Sequence, residues 1–310
     1  MKVVVAGSTG LAGSAISAAF SAQGHEVIGL NRSVVDLMES QATKRFLVSA
    51  KPDLVIDAAA KVGGIGANST FPVEFLADNI TIQGNLMSAA YAAGVEKFVF
   101  LGSSCIYPRD CAQPIKEEYL MTGPLEATNS AYAIAKIAGI ELINSYRKEY
   151  GTRWISLMPT NLYGPQDNFD LAASHVLPAF IRRFVEAAES GAEKVVLWGS
   201  GSPLREFLHV DDLAQAVVVA SEKYDSSLHL NVGSGEDLSI KELAGIVAKS
   251  AGFTGVIEWN SAKPDGTPRK VLDVSRIQAL GWKPTITLEE GIASTIAWYK
   301  AASARGEVRK

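Results

Sequence analysis

Two residues with proton-transfer chemistry stand four positions apart in the chain, Tyr132 and Lys136. Residues at this spacing share one face of an α-helix, and an ammonium beside a phenol favours the phenolate, so we expect the pKa of Tyr132 to be lowered. The phenol could then give its proton to a carbonyl oxygen as a hydride reaches the carbon. Ser103 could hydrogen-bond the same oxygen or be a turn serine, and Ser104 is an alternative to it. The spacing also occurs in exposed helical pairs, so its meaning depends on the elements around it.

A glycine-rich segment near the N-terminus supplies that context. It follows Lys2–Ala6, a β-branched run typical of a buried strand, and it leads into a helix that we predict over Gly13–Gln23. Glycines at such a turn let the backbone approach a pyrophosphate, and the helix behind them offers unpaired N–H groups. The alternative is a tight strand-to-helix turn. We predict that a dinucleotide binds this segment, which comprises Gly7, Ser8, Thr9, Gly10, Leu11, Ala12 and Gly13.

The residues after the second predicted strand, Glu26–Leu30, indicate which dinucleotide binds. An acidic side chain here would bind the ribose hydroxyls of NAD, whereas the arginine present, Arg32, favours the 2′-phosphate of NADP. The alternative for Arg32 is a solvated charge at a strand end. Asp36 and Leu37 are expected to flank the adenine, unless Asp36 instead caps the next helix. The sequence therefore predicts NADP(H) as the cofactor.

Strands alternate with helices along the first half of the chain, a pattern typical of a parallel sheet wound by right-handed crossovers. Further strands are predicted at Asp53–Ala58, Lys97–Leu101 and Arg153–Met158, and helices at Ile80–Ala93 and Ala131–Tyr150. Ligands of such sheets bind at the carboxyl ends of the strands. The glycine segment, residues 103–107 and residues 160–164 all follow strands, so we expect them in one crevice.

The pattern changes after Gly164, where a polar loop precedes a second set of elements. Strands are predicted at Lys194–Trp198, Arg205–His209 and Leu228–Val232, and helices at Val176–Ser190, Asp211–Ser221, Ile240–Ser250 and Leu288–Ala302. We predict an α/β protein with a Rossmann-type doubly wound parallel sheet and a smaller, interleaved C-terminal substrate-binding domain. Residues 1–167 would bind the cofactor, residues 205–235 would return to that domain, and residues 168–310 would mainly bind substrate.

Composition limits the function classes. The 310 residues are 47% apolar, enough for a full core, and their net charge of −4 gives no reason to expect a nucleic-acid partner. Two cysteines, Cys105 and Cys111, do not make a disulfide framework and fit a reducing cytoplasm. The apolar run at the start is too short for a signal peptide. No stretch of about 18 apolar residues occurs, so no membrane partner is expected, and no metal site is predicted.

Six blocks of sequence carry a resemblance to a known family: Ala58–Ile65, Leu101–Pro108, Tyr132–Gly139, Pro159–Pro165, Trp198–Gly201 and Arg205–Asp212. In this order they resemble the extended short-chain dehydrogenase/reductases, and among these the epimerase–reductases of GDP-4-keto-6-deoxymannose. The resemblance covers nearly the whole chain. It implies 3,5-epimerisation of this GDP-sugar and then NADPH-dependent reduction of its 4-keto group, which gives GDP-L-fucose.

The resemblance also implies roles for single residues. Cys105 would be the base and His175 the acid of the epimerisation, while Tyr132 would donate the proton of the reduction, supported by Lys136 and Ser103. A thiolate and an imidazole suit these roles when their surroundings tune their pKa values. Without the resemblance, Cys105 would be interpreted as an inert buried cysteine and His175 as a loop or cap histidine. A cysteine at this position favours an epimerase–reductase, since dehydratases and simple epimerases of the superfamily usually lack it.

Further binding residues follow from the resemblance. Cofactor contacts are implied for Leu101, Gly102, Ser103, Ser104, Lys136, Pro159, Thr160, Asn161 and Leu162, and substrate contacts for His175, Arg183, Trp198, Arg205 and Asp265. Arginine forks suit the phosphate oxygens of a GDP-sugar. The alternatives are a helix-surface charge for Arg183 and apolar packing for Trp198.

The remaining alternatives concern ion pairs and turns. Arg205 could pair with Glu206 or Asp211, and Asp265 could belong to a Pro-Asp-Gly turn within residues 263–268. 

Four other positions match the family, or lie near its motifs, without a clear chemical role. His209 and the two aspartates that follow it are expected to hold structure, with Asp211 or Asp212 capping the next helix. Lys61 could approach the substrate, yet no chemical demand defines its role.

Two other functions remain open at this stage. Another nucleotide-sugar epimerase or dehydratase with bound NAD is disfavoured by Arg32 and Cys105. A non-catalytic NADP-binding regulator is disfavoured because it would need none of the catalytic residues. Many members of the superfamily dimerise through two long helices from each subunit, and Ile80–Ala93 and Ala131–Tyr150 could do so here or pack in the core. We expect a cytoplasmic homodimer.

Overall fold

The computed structural model describes residues 1–171, 173–262 and 265–308. Its strands are β1 Lys2–Ala6, β2 Glu26–Leu30, β3 Leu54–Asp57, β4 Lys97–Leu101, β5 Ile155–Pro159, β6 Asn161–Tyr163, β7 Lys194–Trp198, β8 Leu204–Arg205, β9 Phe207–His209, β10 Leu230–Val232, β11 Leu238–Ser239, β12 Val256–Asn260 and β13 Arg269–Lys270. Its helices are α1 Leu11–Ala22, α2 Ser40–Ala50, α3 Ile65–Thr70, α4 Pro72–Ala92, α5 Ser130–Tyr150, α6 Val176–Ser190, α7 Val210–Lys223, α8 Ile240–Ala251, α9 Ser275–Ala279 and α10 Leu288–Ala304. Lys263 and Pro264, where the predicted Pro-Asp-Gly turn begins, lie outside the described residues.

Within those residues, six strands form one sheet in the order β2-β1-β3-β4-β5-β10. Every neighbouring pair in this sheet is parallel. The strands are short, nearly continuous apolar runs because helices cover both faces: α1 packs against α7, while α4 packs against both α2 and α5. The predicted α/β fold with a doubly wound parallel sheet is confirmed.

The strand order determines where a ligand can bind. From β1 the chain moves to one side to form β2, then returns to the other side of β1 to form β3. A crevice opens where the order reverses, outside the carboxyl ends of β1 and β3, and open α/β sheets bind ligands there. The glycine segment leaves β1 at this point, and Asp57 ends β3.

A second apolar core lies in the later part of the chain. Helix α8 packs against α6 and α10, and the buried aromatic residues Phe169, Phe184 and Tyr299 fill the space among these elements. The chain also returns to the first core, because residues 208–232 and 272–282 contribute buried side chains to it. Strand β10 accordingly forms an edge of the main sheet.

Most helix bounds differ from prediction by one or two residues, and α4 differs by more. Helix α4 begins at Pro72 rather than Ile80, because a proline in the first turn loses no helical hydrogen bond and presets the backbone. Helices α3 and α9 were not predicted, and α2 was expected after Asp36 without bounds. Helix α2 is mostly polar, and only Thr43 and Leu47 are buried, so its apolar stripe is too narrow to show in the sequence.

The strand predicted over Arg205–His209 is wrong as a single element. Strand β8 pairs with β11 and β13, whereas β9 pairs with β6. Between them, Glu206 turns inward and is fully buried. Its carboxylate accepts hydrogen bonds from the backbone N–H of Gly235 at 2.7 Å and of Leu272 at 3.0 Å. The chain breaks its strand here because this carboxylate joins three segments.

The predicted cap of α7 is also wrong, although the expectation of a structural role holds. The N-cap is His209, whose Nδ1 accepts the N–H of Asp211 at 3.3 Å. Asp212 instead accepts hydrogen bonds from the N–H of Thr285 and of Ile286, each at 3.0 Å. It therefore ties α7 to the segment before α10.

Candidate active site

Glycines after β1 let the backbone fold more tightly than any side chain would allow. Gly7 has a φ of +77°, and a Cβ placed there would lie 2.6 Å from the carbonyl oxygen of Ala58. A Cβ on Gly13 would lie 2.1 Å from the carbonyl oxygen of Gly7. The N-cap of α1 is Gly10, which has no side chain to accept the N–H groups of the first turn. The predicted segment Gly7–Gly13 thus forms a cradle whose N–H groups and helix dipole suit a pyrophosphate.

The segment after β2 leaves one arginine available. Arg32 is exposed and forms no ion pair or hydrogen bond within the part of the chain that the structure describes. Asp36 Oδ1 accepts the N–H of Met38 at 3.0 Å, and the N-cap of α2 is Glu39, so the predicted capping alternative for Asp36 is wrong. Leu37 is buried in the first core and anchors this loop. Among the described residues the Arg32 guanidinium therefore has no protein partner, and a guanidinium fork suits phosphate oxygens.

Two further predicted cofactor segments follow β4 and β5. Leu101–Ser104 leaves β4, and Pro159–Leu162 leaves β5, so both lie at the carboxyl edge of the sheet. The polar side chains of the second segment are already engaged. Thr160 Oγ1 and Asn161 Nδ2 donate to the carbonyl oxygen of Glu206 at 3.4 and 2.8 Å. These two side chains tie the segment after β5 to the residue between β8 and β9.

The structure brings Ser103 and Tyr132 together. Tyr132 lies in the first turn of α5, Ser103 lies two residues after β4, and the Ser103 hydroxyl is close enough to act on the pKa of Tyr132. Ser103 Oγ also accepts the N–H of Cys105 at 3.2 Å, which holds its side chain in place. Ser104 is buried. Of the two serines left open by the sequence, Ser103 is the one beside the tyrosine.

Lys136 lies beneath this pair and is only 2% exposed. Its Nζ donates a hydrogen bond to the carbonyl oxygen of Leu101 at 2.8 Å. The same atom lies 4.7 Å from the centroid of the Phe100 ring and 5.9 Å from that of Tyr132. Burial lowers the pKa of Lys136 to about 8, although the carboxylate of Asp57 opposes that shift.

The expected lowering of the tyrosine pKa is wrong. Burial of the phenol raises the pKa of Tyr132, the Cys105 thiolate raises it further, and the Ser103 hydroxyl opposes both. The lysine does not reverse this shift, because its ammonium is bonded to a backbone carbonyl and lies beside the ring. Tyr132 is therefore protonated at neutral pH, which is the state that can donate a proton.

Lys270 is a site residue that the sequence analysis missed. Its Nζ lies 3.5 Å from Sγ of Cys105. Burial raises the pKa of Cys105, but Lys270, the Ser103 hydroxyl and Arg205 together bring that pKa below its ordinary value. A cysteine with a cation in contact has more thiolate character than an inert buried one. No local pattern in the sequence around Lys270 indicates this contact.

His175 lies within electrostatic reach of the same lysine as the cysteine. It is the N-cap residue of α6, but its ring makes no capping hydrogen bond. Its side chain is exposed. The protein atoms around the ring still reduce its hydration, which lowers the pKa of His175, and the charge of Lys270 lowers it further. One cation therefore acts on both groups, favouring a thiolate at Cys105 and a neutral imidazole at His175.

Arg205 acts on the same cysteine and forms no salt bridge with a carboxylate in the part of the chain that the structure describes. Its Nη1 donates to the carbonyl oxygen of Leu204 at 2.8 Å, and its charge interacts with Cys105 and Asp265. The predicted ion pairs with Glu206 or Asp211 are wrong. Glu206 is turned into the interior, and the only salt bridge of Asp211 among the described residues is to a histidine.

The other predicted substrate residues lie on α6, at the end of β7 and before β13. Asp265 accepts hydrogen bonds from the N–H and Oγ of Ser200, at 2.9 and 2.7 Å, and so shapes the loop that follows Trp198. Trp198 is 67% exposed, which disagrees with the alternative of apolar packing. Arg183 is half-buried on α6 and forms no salt bridge with any residue that the structure describes.

Lys61 is engaged by two carboxylates. Its ammonium forms ion pairs with Glu74 and, at 3.5 Å, with Asp78, both on α4. The predicted approach of Lys61 to substrate therefore has no support in this geometry.

None of the helices in residues 1–171, 173–262 and 265–308 has the length and apolar composition needed to cross a bilayer.

The fold and the site together define a class of protein. A doubly wound sheet with a glycine cradle after β1, and with Ser103, Tyr132 and Lys136 at its carboxyl edge, is the arrangement of a dinucleotide-dependent oxidoreductase. The chain belongs to the NAD dependent epimerase/dehydratase family, whose family model matches residues 3–233.

Relatives match the chain over nearly its full length. GDP-L-fucose synthase 1 of Arabidopsis thaliana is 52% identical over 299 residues, which cover 96% of this chain and 93% of that protein. GDP-L-fucose synthase of Escherichia coli K12 is 48% identical over 308 residues, covering 96% of each chain. Among solved structures, the GDP-L-fucose synthetase from Naegleria fowleri bound to NADP has a TM-score of 0.91 and 30% identity, and the match covers 100% of this chain and 96% of that one. The resemblance drawn from the sequence blocks is confirmed.

Proposed function

We propose that this protein converts GDP-4-keto-6-deoxy-D-mannose to GDP-L-fucose, by epimerising carbons 3 and 5 and then reducing the 4-keto group with NADPH. Full-length relatives that are GDP-L-fucose synthases support this assignment. The observation that carries it is that Cys105, with Lys270 at 3.5 Å, shares a cleft with Tyr132. A reductase alone would need only the tyrosine.

The cofactor is NADP(H), as in the NADP-bound structural neighbour. The residues present fit it. The cradle at Gly7 and Gly13 accepts a pyrophosphate because no Cβ occupies it, and Arg32 is available for the 2′-phosphate. Leu101–Ser104 and Pro159–Leu162 would border the rest of the cofactor. When bound, NADPH supplies the hydride that reduces the keto carbon.

Epimerisation uses the acidity of the C–H bonds beside the keto group. The Cys105 thiolate removes a proton from one face of the sugar, and His175 delivers a proton to the other face, so each inverted carbon loses one proton and gains one. Lys270 favours this base by lowering the pKa of Cys105. It also lowers the pKa of His175, so protonated imidazole becomes limiting as the pH rises.

Reduction uses the group at the end of β4 and the start of α5. Tyr132 donates its phenolic proton to the 4-oxygen as negative charge develops there, and Ser103 donates a hydrogen bond to the same oxygen. The phenolate left behind lies close to the positive charge of Lys136, whose Nζ is 5.9 Å from the ring centroid.

The nucleotide end of the substrate would lie along the outer cleft. We assign the pyrophosphate to Arg183 and Arg205, because guanidinium forks match phosphate oxygens, and the nucleoside to Trp198 and Asp265. Residues 1–167, with 205–235, would form the cofactor-binding part, and residues 168–310 would mainly bind substrate.

The test is turnover in deuterated water. The protein is incubated with NADPH and GDP-4-keto-6-deoxymannose, NADPH loss is followed by absorbance, and the product is identified by NMR. We expect one NADPH consumed for each GDP-L-fucose formed, with deuterium at carbons 3 and 5. Cys105→Ser should lose the deuterium incorporation, whereas Cys111→Ser, which removes the other free cysteine, should behave like the wild type.

Two outcomes would contradict the proposal. A product reduced at carbon 4, without deuterium and with its original configuration, would make the protein a plain 4-reductase. Absence of NADPH consumption would reject the enzymatic function.

We also propose that the protein is a cytoplasmic homodimer that pairs through α4 and α5. Val73, Ile80 and Tyr91 lie on one stripe of α4 and are exposed, Val73 by 75%, and Ile134 on α5 is exposed as well. A symmetric pair of such helices would bury this apolar surface. Light scattering should give twice the chain mass, and Ile80→Glu should reduce it. A wild-type monomer at micromolar concentration would contradict the dimer.

A further inference from the structure

Asp57 is a buried acid that the reaction described above does not use. It ends β3 after three apolar residues and is 0% exposed. Its Oδ1 accepts the N–H of Ala59 at 3.2 Å. Its Oδ2 is also buried and has no hydrogen-bond partner among residues 1–171, 173–262 and 265–308. A carboxylate in such a place is costly unless a nearby charge compensates it.

The compensating charge belongs to Lys136. Asp57 is in register with Phe100 on the neighbouring strand, and the Lys136 Nζ lies 4.7 Å from the centroid of the Phe100 ring. The Phe100 ring also packs against α5, since a Cβ on Gly139 would lie 2.4 Å from it. The carboxylate and the ammonium are therefore buried together between the sheet and α5.

The other groups around Lys136 do not replace Asp57. On its own helix, Tyr132 is protonated because burial raises its pKa. From α4, the neutral Gln83 donates to the carbonyl oxygen of Ala135 at 2.7 Å. From the turn after β4, Cys105 acts on Tyr132 and is itself held by Lys270. Asp57, from β3, is the acid whose charge reaches Lys136.

We propose that Asp57 is a positioning residue for the reduction, which keeps Lys136 charged and directed at Leu101 and Tyr132 in a site closed to water. This inference rests on the proposed function, because the lysine charge matters where a phenolate develops on Tyr132. A buried lysine without a compensating acid readily loses its proton. The reduction would then lose the positive charge of Lys136 beside Tyr132, whereas the epimerisation does not use that charge.

The direction of the pH effect follows from the two groups. With Asp57 present, burial lowers the pKa of Lys136 to about 8, while burial raises the pKa of Asp57 to about 6. Both groups are charged between these values. Removing the carboxylate lowers the pKa of Lys136 further, so the alkaline limb of the reduction should move to lower pH.

The experiment compares Asp57→Asn with the wild type in two measurements. The first is single-turnover oxidation of NADPH with GDP-4-keto-6-deoxymannose across the pH range, alongside deuterium incorporation at carbons 3 and 5. We expect reduction at neutral pH to slow roughly tenfold, with the alkaline limb shifted by about one pH unit, and deuterium incorporation to be unchanged. The second is the pKa of Lys136, followed by NMR of its labelled side chain without substrate, and it should fall in the variant.

Matched variants separate a positioning role from a structural one. Asp57→Glu retains the charge and should keep the alkaline limb of the reduction at its wild-type pH. Asp57→Ser, a second neutral variant, should shift that limb to lower pH, as Asp57→Asn does. Asp53→Asn, just before the same strand and bonded to the N–H of Lys2, should change nothing. An unchanged lysine pKa in Asp57→Asn overturns the inference, and so does an equal loss of reduction and deuterium incorporation at every pH. If the wild type consumes no NADPH with this sugar, the proposed function fails, and the NMR titration still decides whether Asp57 controls Lys136.

Discussion

The ammonium of Lys270 lies 3.5 Å from the sulfur of Cys105, although 165 positions separate the two residues in the chain. Cys105 belongs to the turn after β4 in the main sheet, whereas Lys270 belongs to β13, which pairs with β8 in a small separate sheet. The proposed base of the epimerisation is therefore assembled from both parts of the molecule. It forms only when the second sheet packs against the first core.

Replacing Lys270 should weaken the epimerisation and leave the reduction intact. In Lys270→Met the pKa of Cys105 should rise, because the nearest cation is lost, and deuterium incorporation at neutral pH should fall roughly tenfold for each pKa unit. The acid limb of the plot of deuterium incorporation against pH should move to higher pH, and the rate of incorporation should recover in alkaline buffer. The measurement is NMR of deuterium incorporation against pH.

The adjacent cation provides the control for that variant. Arg269 shares β13 with Lys270, but its guanidinium pairs with Asp237 on the surface at 2.6 Å. Arg269→Gln should keep the wild-type exchange profile. Equal profiles for Lys270→Met and the wild type would show that Cys105 does not depend on this contact.

Removing the phenolic oxygen should separate the two halves of the reaction. Tyr132→Phe keeps the ring but loses the proton donor, so NADPH oxidation should slow by about 10²- to 10⁴-fold. Deuterium incorporation should persist, since Cys105 and His175 remain. Tyr91→Phe, a change at an exposed tyrosine of α4, should have no effect on either. A Tyr132→Phe variant that reduces the sugar at the wild-type rate would refute the assigned proton donor.

The choice between NADPH and NADH should depend on Arg32. Charge-assisted hydrogen bonds contribute about 1.5–3 kcal/mol, so Arg32→Ala should weaken NADPH binding by roughly 10- to 100-fold and leave NADH binding nearly unchanged. Fluorescence titration with both cofactors measures this directly. Arg45→Ala, at an exposed arginine of α2, is the control. An equal loss for both cofactors would mean that Arg32 supports the loop and not the 2′-phosphate.

Glu206 should make stability depend on pH in a defined window. Burial raises its pKa from 4.5 to about 7, against the effect of its amide donors. A carboxyl group whose pKa is higher in the folded state stabilises fully below its unfolded pKa, and this contribution is lost as the pH rises through the folded pKa. We therefore expect up to about 3 kcal/mol of stability to be lost between those two values.

Comparison of variants isolates this contribution. Glu206→Gln should remove the slope of unfolding free energy in that window, and it should also cost about 1–3 kcal/mol, because one of the N–H groups of Gly235 and Leu272 loses its acceptor. Urea unfolding at several pH values measures both effects. Glu236→Gln, at an exposed neighbour, should retain the wild-type slope. If the unfolding free energy of Glu206→Gln changed with pH as steeply as that of the wild type, the pH dependence would belong to other groups.

The main sheet was predictable because its signals are local. Strands β1, β2 and β4 have the bounds predicted, since each is a short apolar run between turns. Glu206 shows the limit of such reasoning. Its place between Arg205 and Phe207 gave no sign that its side chain would bind amides from two distant segments and break a strand.

The candidate site was also predictable where its signals are local. The glycine spacing and the Tyr132–Lys136 pair are local patterns, and the structure places both at the carboxyl edge of the sheet. The pKa of Tyr132 was predicted in the wrong direction, because spacing on a helix reveals which side chains share a face but not how deeply they are buried. Lys270 had no local signal. Asp57 had one, since an acid that ends the run Leu-Val-Ile is a candidate for a buried charge.

The two apolar cores share the chain in alternating segments: residues 208–232 and 272–282 pack in the first core, and the segments between and after them pack in the second. Neither core is a contiguous piece of sequence. A truncation after residue 167 would leave the sheet without its edge strand β10 and would remove α7, the helix that packs against α1. Exchanging the substrate-binding part between relatives by a single crossover would likewise transplant pieces of both cores. Because both cores draw on segments from either side of any such boundary, a single crossover would disturb the packing of each.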